Sequence, residues 1–513
     1  DDGQRKIYHV PVMVNTKFMS YDGRNSNMLV YEIEGHPSSC MSPLIVCDDR
    51  FKDIVGVIGY HTAGNKVSGD KTGASNAVTV ELLEEMLAEV TPYTPAPVVK
   101  HVVMAGNSQI PDKIPILGYQ EPLKQAMYGK IVKTPFHGFM VDESGNQVPF
   151  EKFPSISMPY SIIVEDEELM HFPVYNILET FNNPTPAIND TIADFARTMF
   201  TITWDRSVIK ESAPCIYSFE DAIHGRDLVG PDSRTTSVGQ ALRYKGITKK
   251  MMYGEEGKRN LDTPLMQELK ALLLETIEML KRGEEPDWKF LGFIKSELIS
   301  ISKLEEGMAR FIFGVDWEEH IICKMYFGFM LSLAARNSIR NGTLIGMNPY
   351  SMDADVIGKI LEVFKLLCDG DYKWFDKRFF RWLYDQFSKF SRHVYYNGTE
   401  EEHRVRDMIL AKLCSPQVIV IIRNEDGVPV AVTLLLDGVL PSGHTLTQLL
   451  GCFGNGVMDR YTYLMAWCES IGTTHLAYDI NVHPKPDLFY EEDNMHTFLL
   501  GDDNILGFKE ERH

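Results

Sequence analysis

The sequence predicts an α+β fold, on three observations. Segments with helical periodicity and β-hairpin signatures occur together, without the regular strand–helix alternation of a doubly wound sheet. Short β-branched runs crowd the first 65 residues, and a proline-rich stretch separates them from the remainder of the chain. No internal repeat is present.

Taken in order, VPVMV (10–14), NMLVYEIE (27–34), PLIV (43–46) and IVGVIGYH (54–61) read as strands bounded by Asn, Gly, Pro and Asp. ELLEEMLAEV (81–90) has helical spacing. TPYTPAPVV (91–99) holds three prolines in nine residues and reads as an extended linker, and NSQIPDKIP (107–115) is also non-periodic. The expected organisation is therefore a first domain over 1–92, a linker and candidate cleavage region over 93–110, and a large second region over 111–513. There, LMQELKALLLETIEMLKRG (265–283) is helical and ends at Gly283. VIGKILEVFKLL (356–367), FFRWLYDQFSKF (379–390) and DRYTYLMAWCESIG (459–472) also read as helices. QVIVIIRN (417–424) and VPVAVTLLLDG (428–438) flank a Glu-Asp-Gly turn and form one hairpin; HTFLL and NILGF flank Gly501, Asp502 and Asp503 and form a tighter one.

Composition bounds the function. The 513 residues carry Lys+Arg 51 against Asp+Glu 71, a net charge of −20, which excludes a protein coated in basic surface but not a basic channel inside an acidic shell. No run of about 18 apolar residues occurs, so no membrane span is expected. The eight cysteines form no C-x-x-C pair and sit in apolar contexts such as Cys323, Cys414 and Cys468, as expected for reduced thiols in a cytosolic protein rather than a structural metal site. The start, DDGQRKIYHV, has neither an initiator Met nor a signal-peptide shape, and the end follows an apolar strand; a piece of a longer polypeptide is expected.

Two segments concentrate carboxylates. CDGDYKWFDKRF holds Asp371 and Asp376, and FLLGDDNILGF holds Asp502 and Asp503 at a hairpin tip. Carboxylates at strand ends flanked by apolar residues are costly unless a cation neutralises them, and two Mg²⁺ ions would do so through hard oxygen ligands from different elements. Either segment alone reads equally as a solvated turn. GVLPSGHTLTQLLGCFGN (438–455) is a flexible loop followed by a helix, either a nucleotide-facing junction or an ordinary Ser-capped helix start. In FIKSELISISKLEEGMARFIFG (293–314), Lys295, Lys303 and Arg310 recur at intervals of eight and seven; on an extended hairpin they would line a channel wall, and otherwise they form a solvated face.

In their order along the chain, these segments resemble the RNA-dependent RNA polymerases of picornavirus-like (Picornavirales) positive-strand RNA viruses. Lys295 and Glu297 match the basic motif, Asp371-Tyr372 to Asp376 the D-Y-x-x-[FY]-D motif, Pro441-Ser442-Gly443 to Thr447 the P-S-G-x-x-x-T motif, and Gly501-Asp502-Asp503 the G-D-D motif. DAIHGRDLVGPDSRTTSVGQ (221–240) and KIVKTPFHG (130–138) resemble upstream family segments. The resemblance implies a right-hand fold with fingers and palm, the thumb lying beyond His513, and RNA synthesis from nucleoside triphosphates on an RNA template and primer. Asp371 and Asp502 would ligate two Mg²⁺ ions, with Mn²⁺ as a substitute, and Asp503 would support them. Asp376 would read the ribose 2′-hydroxyl. Ser442, Gly443 and Thr447 would form the template- and nucleotide-sensing loop, and Lys295, Lys303 and Arg310 would hold the triphosphate. Other viral replication proteins would be partners, in host cytoplasm at membrane-associated replication complexes. Two departures stand out: Gly451 occupies the place of the family's usual ribose-partner Asn, the next Asn being Asn455, and Ile299 occupies that of an Arg. The P-S-G motif and the ribose-reading Asp argue against a reverse transcriptase.

GHPSSCMSPLIVCDDRFKDIVGVIGYHTAGN (35–65) resembles the C-terminal β-barrel lobe of the chymotrypsin-like cysteine proteases that precede such polymerases in polyproteins. That resemblance implies Cys40 as nucleophile and His61 in the pocket for a P1 Gln, with Ser38 and Met41 in place of the usual glycines. Gln109-Ile110 is a candidate self-cleavage junction. The alternative reading is a processing protease with a non-catalytic RNA-binding region downstream.

Overall fold

The computed structural model describes residues 108–120, 152–164, 167–208, 212–234, 236–254, 259–423, 428–486 and 495–508, together with short backbone strands between residues 12 and 105. The chain divides into two compact units, Asp1–Ala96 with Val132–Phe150, and Pro97–Ile131 with Glu151–His513.

In the first unit, Val12–Met13, Met28–Glu32, Thr72–Ala77, Val57–Gly64 and Pro43–Ile45 form, in that spatial order, an antiparallel five-stranded sheet. The β-rich reading of this segment holds. Residues 81–99 and 130–138, with the expected helix, linker and upstream motif, lie outside the described residues. Within the expected 93–110 linker, Val102–Ala105 belongs to the second unit and is a strand, parallel to Glu167–His171 of that unit. Its β-branched start outweighs the non-periodic residues after it.

Two sheets of the second unit position the site. The larger runs Phe311–Gly314, Phe290–Ile294, Gln417–Arg423, Pro429–Leu435, Ile116–Gln120. Its centre contains the predicted hairpin, paired from Gln417 with Leu435 to Arg423 with Pro429. The smaller sheet runs Leu366–Gly370, Asp503–Phe508, Met495–Leu500. Here one helix prediction is corrected. Helix Asp353–Leu361 ends early, and Leu366 and Leu367 begin a strand, because pairing with Phe508 and Gly507 overrides local helical spacing.

Helices fill the space between the sheets. Trp317–Arg336 has no single polar face and is buried along most of its length, Glu319 and Lys324 included. Pro264–Arg282 starts with Thr263 accepting from the Met266 N–H, has Pro at its first turn, and stops at left-handed Gly283. The 459–472 segment is the end of one longer helix, Thr447–Ser470, packed on helix Asp190–Ser207. Between them the ring of Phe453 meets those of Phe200, Phe387 and Phe390 at centroid distances of 5.1, 5.1 and 5.2 Å. Phe453→Ala should cost about 3–5 kcal/mol, read as a lowered urea midpoint at unchanged m-value.

Candidate active site

The tight hairpin places the acidic residues. Leu500 pairs with Asp503, leaving Gly501 and Asp502 as a two-residue turn, and Gly501 takes φ +70 that the turn demands. On the other side of Asp503–Phe508, Gly370 pairs with Asn504. The register therefore delivers Asp371, the next residue, beside Asp503. Burial pushes the Asp502 carboxyl up, and the neighbouring Asp503 and Asp371 carboxylates push it further, against the pull of Arg310. Asp376 is also raised, by burial first and by Asp502, with Lys377 opposing. Asp502 thus interacts electrostatically with Asp503 beside it and with Asp371 and Asp376 from a segment distant in sequence. Mutual repulsion raises carboxyl pKa values, and a divalent cation relieves it. The donors are hard oxygens, of the kind that suits Mg²⁺ or Mn²⁺.

The turn borders a cleft of about 1120 Å³ whose walls include Lys303, Arg310, Asp376, Ser442, Thr447 and Asp502. The basic segment reaches it differently from the expected extended hairpin. Leu298–Ser300 breaks into a helical turn, Ile301–Glu305, which carries Lys303 to the cleft. Lys295 is not among the lining residues. Its ammonium pairs with Glu297 at 3.0 Å, and Glu297 also takes Arg310 at 3.6 Å, so the two cations share one carboxylate. Ile299 is 5% exposed and pairs with Phe153, so that position presents no polar group to the cleft.

The 441–447 loop is docked on the same wall. The Phe313 N–H donates to the Ser442 carbonyl at 2.9 Å. Gly443 has φ +107, and a Cβ there would lie 2.9 Å from the Phe313 carbonyl oxygen, so only glycine fits. The Thr447 hydroxyl donates to the Pro441 carbonyl and closes the loop as the helix begins. Ser442 is not the cap of that helix: the preceding residue is Leu446, and no side chain caps it. His444 Nε2 meets Glu319 at 2.8 Å with both side chains 1% exposed. Glu319, Cys323 and His444 offer ligand atoms within 4.8 Å of one another. Because the Leu446 N–H donates to His444 Nδ1, however, the ring proton sits on Nε2, and a protonated nitrogen has no lone pair for a metal. The cluster braces the loop.

Two networks escaped sequence reasoning. Asn455, fully buried in helix Thr447–Ser470, donates its amide to the carbonyls of Gly501, Asp502 and Asp503 at 3.1, 2.9 and 3.3 Å. Its oxygen accepts from Asn504 at 2.9 Å; Asn504 also donates to Asp459 at 3.3 Å, and the Tyr372 hydroxyl donates to the same Asp459 oxygen at 3.0 Å. One helix thus holds the turn and, through Tyr372, the neighbour of Asp371. Gly451 permits that approach, since a Cβ there would lie 3.0 Å from Gly501 Cα. The second network centres on buried Asp232. Burial would raise its carboxyl, but His320, Lys249 and Tyr253 hold it well below the usual range. Thr445 meets His320 Nδ1 at 2.7 Å, which joins this network to the 441–447 loop.

Of the protease candidates, Cys40 lies outside the described residues, and the His61 backbone lies on Val57–Gly64 opposite Ser75. Gln109 is exposed, while Ile110 packs against the core of the second unit.

A mixed α/β unit that gathers carboxylates on a strand end and a hairpin turn, beside a cleft with lysine and arginine walls, has the features of a nucleotidyl-transfer site. The family model for viral RNA-dependent RNA polymerases matches residues 189–513, more than half of the chain, and the chain belongs to that family. Its function is RNA synthesis in viral replication. Among solved structures, a Sicinivirus 3Dpol RNA-dependent RNA polymerase is similar in fold, with TM-score 0.55 and 15% identity over 83% of this chain and 73% of that one. No curated protein matches the sequence.

Proposed function

We propose that the second unit transfers nucleotides to an RNA 3′-hydroxyl at the site formed by Asp371, Asp376, Asp502 and Asp503. The observation that carries this reading is the strand register that sets Asp371 beside the Gly501–Asp502 turn. Two Mg²⁺ ions held by Asp371 and Asp502, with Asp503 in support, would supply charge neutralisation and an activated 3′-oxygen. Around them the chain's own groups do the positioning. Lys303 and Arg310 hold the triphosphate from the cleft wall, with Lys295 steadying Arg310 through Glu297. Ser442, Gly443 and Thr447 set the loop against template and nucleotide. Asp376 reads the ribose 2′-hydroxyl. The 3′-oxygen displaces pyrophosphate in line at the α-phosphorus, and catalysis is positioning and electrostatics.

The order of the four motifs supports assignment to the Picornavirales and work alongside other viral replication proteins in host cytoplasm at membrane-associated complexes. Among the described residues no helix is long and apolar enough to cross a membrane. The segment around Cys40 and His61 supports a protease lobe over 1–92, with Cys40 as nucleophile. Cys40→Ala in the polyprotein is expected to block maturation, and unchanged processing would remove that role.

The polymerase reading is tested on the full-length polymerase carrying this sequence. An annealed RNA primer–template should be extended only by the complementary nucleoside triphosphate. EDTA should abolish extension, and added Mg²⁺ or Mn²⁺ should restore it. RNA binding without template-directed incorporation would instead support the processing protease with an RNA-binding tail.

A further inference from the structure

The segment between Asp371 and Asp376 carries two side chains that the proposed chemistry has not used, Lys373 and Trp374. Tyr372 turns inward, its hydroxyl donating to Asp459 at 3.0 Å. Lys373, next along the chain, is exposed and lines the cleft with Trp374. Trp374 has φ +60, a left-handed conformation that is a genuine outlier for so bulky a residue and that clusters at ligand sites. Its carbonyl accepts from the Lys377 N–H at 3.0 Å, which starts the short 375–377 helical turn. Its ring is gripped by two cations: the Lys373 ammonium 4.7 Å and the Arg378 guanidinium 5.2 Å from the centroid.

Besides Lys303, two other cations lining the cleft are partly committed. Arg310 shares Glu297, and Lys377 is buried beside Asp376 and over the Phe181 ring. Ile299, where the family resemblance leads one to expect a triphosphate-binding arginine, faces Phe153 across a strand pair. Lys373 has no carboxylate within ion-pair distance among the described residues. An ammonium held over an aromatic face keeps its full charge for a second partner, and a restrained side chain loses less freedom on binding than a free lysine.

We propose that Lys373, steadied by Trp374, binds the β- and γ-phosphates of the incoming nucleotide and supplies the cation absent at Ile299. This contact rests on the polymerase reading and adds to it. It sits two residues from Asp371, so the phosphates it meets belong to the nucleotide whose α-phosphorus reacts at the carboxylates. The phosphate backbone of RNA is the other source of the same chemistry, and the test separates the two.

Lys373→Met in the full-length polymerase should raise the KM for nucleoside triphosphate about tenfold, the size of one charge-assisted contact, with kcat changed by less than about twofold. The KM for primer–template and the melting temperature should stay at wild-type values. Lys373→Arg should restore the nucleotide KM. Trp374→Gly, which suits the left-handed backbone but removes the ring, should raise it by a smaller factor. An unchanged nucleotide KM in Lys373→Met, or a loss confined to the primer–template KM, overturns the proposal while leaving the polymerase reading intact. Wild-type protein that incorporates no nucleotide overturns both.

Discussion

Asp502→Asn should lower nucleotide incorporation by about a thousandfold or more while leaving RNA binding and folding intact. The substitution keeps the shape and one carbonyl oxygen but removes the charge on which divalent-cation binding depends. Folding should not suffer. Burial and the adjacent Asp503 and Asp371 already disfavour ionised Asp502, so its folded-state pKa lies above the unfolded value. A carboxyl raised in this way makes the native state less stable as pH rises above the unfolded pKa, and the cost is complete once pH passes the folded-state pKa. Asparagine removes it, and the melting temperature should hold or rise slightly. RNA affinity should hold or rise too, since one negative charge leaves a phosphate-binding region. Primer extension, filter binding and thermal melting on one preparation check the three claims together. Incorporation within tenfold of wild type would remove Asp502 from the metal site. Lost incorporation with a collapsed melting temperature would instead mean that the turn needs the carboxylate to fold.

The parts of the site legible in the sequence are those governed by local rules. Gly501 followed by two aspartates between apolar runs is a hairpin by turn chemistry alone, and the structure has it. Ser442-Gly443 was legible as a φ-permissive loop, and Gly443 takes the left-handed angle. Tertiary pairing decided the rest. Leu366 and Leu367 continue a helical spacing, yet they are strand because Asp503–Phe508 lies alongside them. Lys303 was expected on an extended segment, but a helical turn carries it. Gly451 read as a departure from a family pattern, with Asn455 as the displaced asparagine. In the structure the two positions act together: a missing side chain lets the helix approach, and the asparagine four residues on meets the turn. A helix contact with a loop some fifty positions away leaves no periodic signal in one sequence.

Asn455 therefore carries the second large effect. Its amide must face the turn, since the carbonyls of Gly501, Asp502 and Asp503 can only accept hydrogen bonds. Asn455→Ala removes that donor and the acceptor for Asn504 in a fully buried setting, where an unsatisfied polar group costs about 1–3 kcal/mol. Part of this cost should appear as lower stability in urea. The larger consequence falls on the turn itself, whose backbone direction sets where the Asp502 carboxylate points. A displacement of about 1 Å at reacting groups costs roughly a hundredfold in rate. Incorporation should thus fall between about tenfold and a hundredfold, and the Mg²⁺ concentration for half-maximal rate should rise. That second shift distinguishes a positioning residue from one that only supports the fold, because partial unfolding lowers the active fraction without changing the metal requirement of what remains. Asp459→Asn is the control. It keeps an oxygen for Tyr372 and Asn504 and should leave the metal requirement within about twofold of wild type. If Asn455→Ala lost stability but kept the wild-type metal requirement, the asparagine would be a packing element beneath the site, and the turn would owe its geometry to strand pairing and Gly501 alone.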